Sequence, residues 1–103
     1  MLNVALEMPC RPRSQPGDVG PTSLEGVMNR VYYNLGNRFF DQSEYERAIR
    51  AYRLAIDCDP GDVAAWYNLG LCYALVGRQD AMDWAFRQVK RLRGPVGDPG
   101  AAA

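Results

Sequence analysis

The sequence contains no histidine among its 103 residues, which removes the commonest general base and the commonest metal ligand. Its three cysteines form no C-x-x-C pair, so the spacing does not favour a zinc site. No side chain that could act as a nucleophile stands in an evident pairing with a base. We therefore predict that the protein is not an enzyme and that it uses no metal and no other cofactor.

An excess of charge of either sign is also lacking, because 12 Lys and Arg balance 12 Asp and Glu. Such a chain has no overall attraction to nucleic acid or to an acidic membrane. The four basic residues between 87 and 93 fit the C-terminal end of a helix, where cations offset the helix dipole. There is no apolar run of about 18 residues and no secretory signal at the start. We predict a cytoplasmic protein with no nucleic-acid or membrane partner.

Proline and glycine are concentrated near both ends. Residues 9–21 hold four Pro and two Gly, a spacing that forbids a helix. We predict a flexible N-terminal arm at 1–21 and, by the same reasoning, a disordered tail at 95–103. One domain is expected between them, at 22–94.

The middle of the chain repeats itself at a fixed interval. The sequence Y-N-L-G at 33–36 recurs at 67–70. At the same offset, Tyr32, Phe39 and Tyr52 have other aromatic residues as their counterparts. A period near 34 with aromatic, Leu and Gly anchors is typical of a helical repeat. The pattern predicts an all-α fold.

Hydrophobic periodicity divides this region into four helices, at about 23–42, 44–58, 63–76 and 79–93. Thr22, with Glu25 three residues later, has the spacing of a capping box for the first helix. The run Asp59–Asp62 contains Pro and Gly and separates the second helix from the third. Gly77 is expected to make the turn before the fourth helix.

These residues resemble the tetratricopeptide repeat (TPR) family, whose pattern is W-x2-L-G-x2-Y, then A-x3-F, then an Ala and a Pro. The first repeat, about 29–62, carries Tyr32, Leu35, Gly36, Phe39, Ala48, Tyr52, Ala55 and Pro60. The second, about 63–96, carries Trp66, Leu69, Gly70, Tyr73 and Phe86. The resemblance implies two helix pairs stacked as a short right-handed superhelix. Met82 and Val89 stand where small Ala residues belong, and we expect their bulk to push the second pair slightly apart.

The second helices of the two repeats differ on one face. The first has an apolar stripe that should bury against the next repeat, formed by Tyr45, Ile49 and Ile56. At the equivalent positions of the second repeat the sequence has Gln79, Asp83 and Lys90 instead. Because buried charge is costly, the last helix is predicted to be a solubilising cap that ends the array after two repeats. The N-terminal side carries no comparable polar face.

In the TPR family, the first helix of each repeat lines a concave groove that takes peptides. The residues that would line it here are Arg30, Tyr33, Asn34, Asn37, Tyr67, Asn68 and Leu71. Asn can donate and accept hydrogen bonds, so Asn on successive repeats can hold an extended backbone. The resemblance therefore implies a non-catalytic adaptor or scaffold that binds another protein or a peptide, although the same residues also serve simply to fill the fold.

Asn37 and Asn68 match the two Asn of the clamp with which some TPR co-chaperones hold a C-terminal carboxylate. Tyr33 stands where that clamp has Lys, so the charge-assisted bonds are missing. An acidic chaperone tail is therefore the less favoured ligand.

The alternative to a peptide-binding module is a structural protein that self-associates. Two repeats are fewer than the three or more that usually make such arrays stable. A homo-oligomer or a bound partner would supply the missing stability. Trp84 replaces Arg50 of the first repeat. It either packs along its own helix or, together with the open face of the N-terminal helix, anchors self-association, because aromatic residues dominate interface hot spots.

Overall fold

A computed structural model describes residues 23–94, and this range contains four α-helices and no strand. The helices are α1 (Leu24–Asp41), α2 (Tyr45–Cys58), α3 (Val63–Leu75) and α4 (Gln79–Arg93). Each packs against the next along the chain. The all-α prediction is confirmed, and every helix begins and ends within a residue or two of its expected position. The arm predicted at 1–21 and the tail predicted at 95–103 lie outside the described residues.

Polar side chains begin two of the helices. The backbone of Ser23 is extended, and its Oγ accepts a hydrogen bond of 3.0 Å from the Gly26 N–H at the start of α1. The cap is therefore Ser23, one residue after the expected Thr22, which lies outside the described range. Asp62 caps α3 in the same way, with its Oδ1 accepting from the Ala65 N–H at 3.1 Å. Each cap satisfies a backbone donor that the helix itself leaves unpaired.

The two helices of each repeat meet at a glycine. A Cβ built on Gly36 would lie 2.6 Å from the ring of Tyr52, and one on Gly70 would lie 2.5 Å from the ring of Phe86. These distances leave no room for a side chain, so glycine is what allows the ring of one helix to lie on the backbone of the other. Phe86 approaches α3 as closely as Tyr52 approaches α1. The wider spacing expected from Met82 and Val89 is therefore not seen at this contact.

One polar side chain is buried where α1 meets the connection between the repeats. Asn29 is 8% exposed, and its Nδ2 donates to the backbone carbonyl of Ala55 and to Oδ2 of Asp62, both at 2.9 Å. It thus ties α1 to the end of α2 and to the residue that caps α3. Sequence patterning did not single out Asn29, because a lone Asn in a helix carries no signal of its tertiary partners.

The two turns within repeats use the same left-handed backbone with different residues. Gly77 has a φ of 81°, in agreement with its predicted role as a turn. Ser43, which occupies the equivalent place in the first repeat, has a φ of 61°. A residue with a Cβ is disfavoured in this conformation, whereas glycine adopts it freely.

We expect Ser43→Gly to raise the free energy of unfolding by about 0.5–1 kcal/mol, because it removes this backbone strain. Gly77→Ser is the matched opposite change and should lower the free energy of unfolding by a similar amount. Urea unfolding of both variants measures the two effects. A Ser43→Gly protein that is no more stable than the wild type would contradict this account of the turn.

Part of the apolar face of α1 is exposed to solvent. Leu24, Val27, Val31 and Leu35 are 71%, 45%, 50% and 38% exposed. Periodicity correctly predicted that these residues share one face, but it could not show whether another helix packs on that face. At the other end of the described region, Gln79, Asp83 and Lys90 of α4 are exposed. None of the four helices is long and apolar enough to cross a lipid bilayer.

Candidate functional site

Side chains from three helices form a hydrogen-bond network where the two repeats meet. Asn68 on α3 donates through Nδ2 to Oδ1 of Asn37 at 3.3 Å and to the hydroxyl oxygen of Tyr33 at 3.2 Å. Tyr52 on α2 donates its hydroxyl to the same Oδ1 of Asn37 at 2.5 Å. The network therefore fixes the two Asn side chains relative to each other across the junction.

Tyr52 takes part in this network because Gly36 lets its ring lie against α1. The ring is 1% exposed, while the hydroxyl reaches Asn37, the residue after that glycine. Burial raises the pKa of Tyr52 above its ordinary value, so the hydroxyl remains a donor. Sequence analysis placed Tyr52 only among the packing residues. A signal was present in the sequence, because Gly36 and Asn37 are adjacent. A tyrosine ring that packs on the glycine brings its hydroxyl close to the asparagine side chain.

A cavity of about 350 Å³ opens beside the network. It is lined by Asn37, Phe40, Asp41, Tyr52, Asn68 and Leu71. Within residues 23–94, Nδ2 of Asn37 donates no hydrogen bond and Oδ1 of Asn68 accepts none. The lining residues thus offer an amide donor on Asn37 and a carbonyl acceptor on Asn68, which together are the complement of a peptide group.

Aromatic contacts hold the walls of this region in place. The ring of Tyr33 lies 5.9 Å from that of Tyr52, and the ring of Phe40 meets Tyr45 edge-on at 5.5 Å. Tyr67 rests against Phe86 at 5.7 Å while staying 49% exposed. Packed rings of this kind present apolar area with little conformational freedom to lose.

The structure brings together four of the seven residues predicted to line the groove. Tyr33, Asn37 and Asn68 share the network, and Leu71 lines the cavity beside them. The others, Arg30, Asn34 and Tyr67, are exposed and do not line the cavity.

Asn34 and Asn68 hold equivalent positions in the two repeats but have different surroundings. Asn68 meets Tyr33 and Asn37 of the preceding repeat. No helix precedes Asn34's repeat within residues 23–94, and Asn34 is exposed. Asp41 also lines the cavity but was not among the predicted site residues. It is the last residue of α1, and the sequence indicated only that a helix ends there.

Trp84, the predicted anchor for self-association, lies on the side of α4 away from Phe86. Its ring meets that of Trp66 edge-on, with centroids 5.0 Å apart, and 42% of the residue is exposed. Trp66 itself is 9% exposed and donates its indole N–H to the Pro60 carbonyl at 2.8 Å. Trp84 thus packs against α3 and leaves part of its surface exposed to solvent.

A larger depression of about 530 Å³ lies around the start of α2 and has a different character. Its lining includes the charged residues Glu44, Glu46, Arg47 and Arg50. Arg47 pairs with Glu44 at 3.1 Å, and Arg78 pairs with Glu46 at 3.1 Å. Since these charges largely satisfy one another at the surface, the smaller cavity is the better candidate site, because Nδ2 of Asn37 and Oδ1 of Asn68 have no partner within residues 23–94.

The thiol of Cys72 on α3 is placed to pack rather than to react. The residue is fully buried, and burial raises its pKa to about 11. A thiol acts as a nucleophile only as its thiolate, which is scarce near neutral pH at such a pKa.

Comparison with known proteins agrees with the repeat geometry. Residues 36–77, from the middle of α1 to the turn after α3, match a family model described as TPR repeat. The protein bimA of Emericella nidulans is 33% identical over 57 residues, which are 55% of this chain and 7% of that protein. Anaphase-promoting complex subunit 3 of Schizosaccharomyces pombe is 29% identical over 69 residues, 67% of this chain and 10% of that protein.

The chain thus spans a tenth or less of the length of these two relatives. The residues that match the family model contain all of α2 and α3 and both of the glycines at which paired helices meet. TPR repeats are protein–protein interaction modules that use concave surfaces. Over residues 36–77, this chain therefore carries the TPR repeat that the matching family model describes.

Proposed function

We propose that the chain is a non-catalytic adaptor or scaffold, acting in the cytoplasm, that binds a peptide or a partner helix at the junction of its two repeats. Tyr33, Asn37, Asn68 and Leu71 form the floor of this groove. Tyr67 and Arg30 stand at its rim. Asn34 lies outside the hydrogen-bond network, and binding does not require it.

The observation that carries the proposal is the pairing of Asn37 with Asn68. Their hydrogen bond fixes both amides before any ligand arrives, so little conformational entropy is lost on binding. The pair retains an amide donor on Asn37 and a carbonyl acceptor on Asn68 for which residues 23–94 supply no partner. An extended backbone can satisfy both.

The chemistry of the lining argues against an acidic tail as the ligand. Asp41 is the charged residue among those that line the cavity, and Arg30 is exposed outside it. A terminal carboxylate would meet no cation there, whereas tight carboxylate capture depends on charge-assisted bonds. An internal peptide segment or a helix fits better. One relative is named as a subunit of the anaphase-promoting complex, which supports a role in contacts between proteins.

Selection from a displayed library of random peptides, followed by fluorescence anisotropy on the selected sequences, tests the groove directly. We expect Asn68→Ala to weaken binding by about tenfold or more, because removing one partner of a buried hydrogen bond typically costs about 1–3 kcal/mol. Asn34→Ala is the matched control, with the same residue type at the equivalent position, and should stay within about twofold of the wild type. Equal effects of the two substitutions would exclude the network as the binding site.

A further inference from the structure

Four aliphatic side chains form an uncovered stripe along α1. Leu24, Val27, Val31 and Leu35 follow helical spacing on one face and are between 38% and 71% exposed. At 1.5 Å per residue the stripe is about 17 Å long. Between 24 and 35 the charged residues are Glu25 and Arg30, which project from other sides of the helix, about 100° or more from Val31. Arg38 lies about 20° from Val31 and is exposed, and it marks the end of the stripe one turn after Leu35. The stripe is therefore apolar along its length.

The second repeat shows what this face does when a helix packs on it. The counterparts of Val31 and Leu35 in that repeat are Ala65 and Leu69, both fully buried. They belong to the same core cluster as Ile49 and Ile56 of α2, the helix that precedes α3. The stripe on α1 is therefore equivalent to the face of α3 on which the apolar side of α2 packs.

Head-to-tail stacking of one copy on another cannot cover the stripe well. That arrangement would place α4 of one copy on α1 of the next, as α2 lies on α3 within the chain. Asp83 and Lys90 stand at the α4 positions that Ile49 and Ile56 hold in α2, and both are exposed. Burying these two charges against aliphatic side chains would be strongly unfavourable, because an unpaired ion loses its hydration there without gaining a partner.

We propose that the stripe on α1 is a self-association surface that pairs with the stripe of a second copy across a two-fold axis. An isologous pair places aliphatic side chains on both sides of the contact, and it needs no further complementary surface. Val31, near the middle of the stripe, lies close to the axis and contacts its counterpart in the second copy. This surface is separate from the groove, so that a dimer leaves both Asn37–Asn68 pairs accessible.

The size of the stripe sets the strength of the association. Four partly exposed aliphatic side chains expose a few hundred Å² at most. Stable complexes bury about 800 Å² on each partner. We therefore expect a weak dimer with a dissociation constant on the order of 10–100 µM.

Sedimentation velocity of the full 103-residue chain over about 5–500 µM tests the proposal. The wild type should move from one chain towards two and go no further. Val31→Glu should raise the dissociation constant at least about tenfold, with an unchanged helical circular dichroism spectrum, because residue 31 is half exposed in the single chain. Leu75→Glu is the matched control, since Leu75 is 54% exposed elsewhere on the fold, and should dimerise like the wild type.

A photo-reactive phenylalanine in place of Val31 then locates the contact. Crosslinks from position 31 to α1 of the second copy would establish the two-fold pairing. Crosslinks to α4, or growth beyond two chains, would show head-to-tail stacking and overturn it. A single chain at every concentration, a dimer that survives Val31→Glu, or a dimer lost instead on Trp84→Ala would each overturn the proposal.

Discussion

Gly36→Ala is expected to lower the free energy of unfolding by about 1–3 kcal/mol, because its new Cβ would lie within 2.6 Å of the Tyr52 ring. This net loss includes the gain of up to about 1 kcal/mol that Ala brings in helix propensity. Gly70→Ala should act in the same direction, with 2.5 Å to the Phe86 ring. The effect at Gly36 should be the larger, because Tyr52 is 1% exposed and hydrogen-bonded, whereas Phe86 is only partly buried and can shift.

Urea unfolding of Gly36→Ala, Gly70→Ala and a third variant, Gly61→Ala, separates crowding from the general effect of losing a glycine. A Cβ on Gly61 would make an ordinary contact of 3.5 Å with Asp59. Gly61→Ala should therefore change stability by no more than about 0.5 kcal/mol. If all three variants behaved alike, the close approach of the paired helices would not be the reason for the glycines.

Leu69→Ala is expected to lower the free energy of unfolding by about 2–5 kcal/mol. Leu69 is fully buried on α3, in the cluster that joins the two repeats, and its removal leaves a cavity that the surrounding helices can fill only in part. A domain of this size commonly has only about 3–5 kcal/mol of stability in total. The variant should therefore be largely unfolded in buffer at room temperature, as circular dichroism would show.

Leu75→Ala makes the same chemical change on the same helix at a residue that is 54% exposed. It should cost less than about 1 kcal/mol, because little apolar area is lost from the core. A folded Leu69→Ala protein, within about 1 kcal/mol of the Leu75→Ala control, would contradict the placement of Leu69 at the centre of the inter-repeat core.

The fold could be predicted from sequence because its signals are local and repeated. Helical periodicity and the breakers at 59–62 and Gly77 determine the bounds of the helices. The fixed offset between the repeats then relates the two halves, and glycine opposite an aromatic ring marks the contact between paired helices. Each of these signals depends on residues near one another in the chain or at one fixed spacing.

The features that could not be predicted depend on contacts made by a residue in one repeat but not by the equivalent residue in the other. Asn34 and Asn68 are the same residue in the same motif, yet within residues 23–94 only Asn68 has a preceding repeat with which to form hydrogen bonds. The hydroxyl of Tyr52 reaches the groove from the second helix, which sequence reasoning assigned to packing. Ser43 adopts a backbone conformation that its residue type does not suggest. Such features follow from tertiary neighbours, which periodicity does not specify.

The central claim is that the protein binds its partners at the junction of the two repeats. Crosslinking capture from the native cell extract tests it most directly, comparing the wild type with a Tyr33→Ala, Asn37→Ala, Asn68→Ala variant and with Trp84→Ala as a control on another face. All three proteins are first matched for helicity by circular dichroism. We predict that the triple variant loses partners that the wild type and the Trp84→Ala variant both retain. Full retention of every partner by the triple variant would contradict the account and direct attention to Trp84 and the α1 stripe.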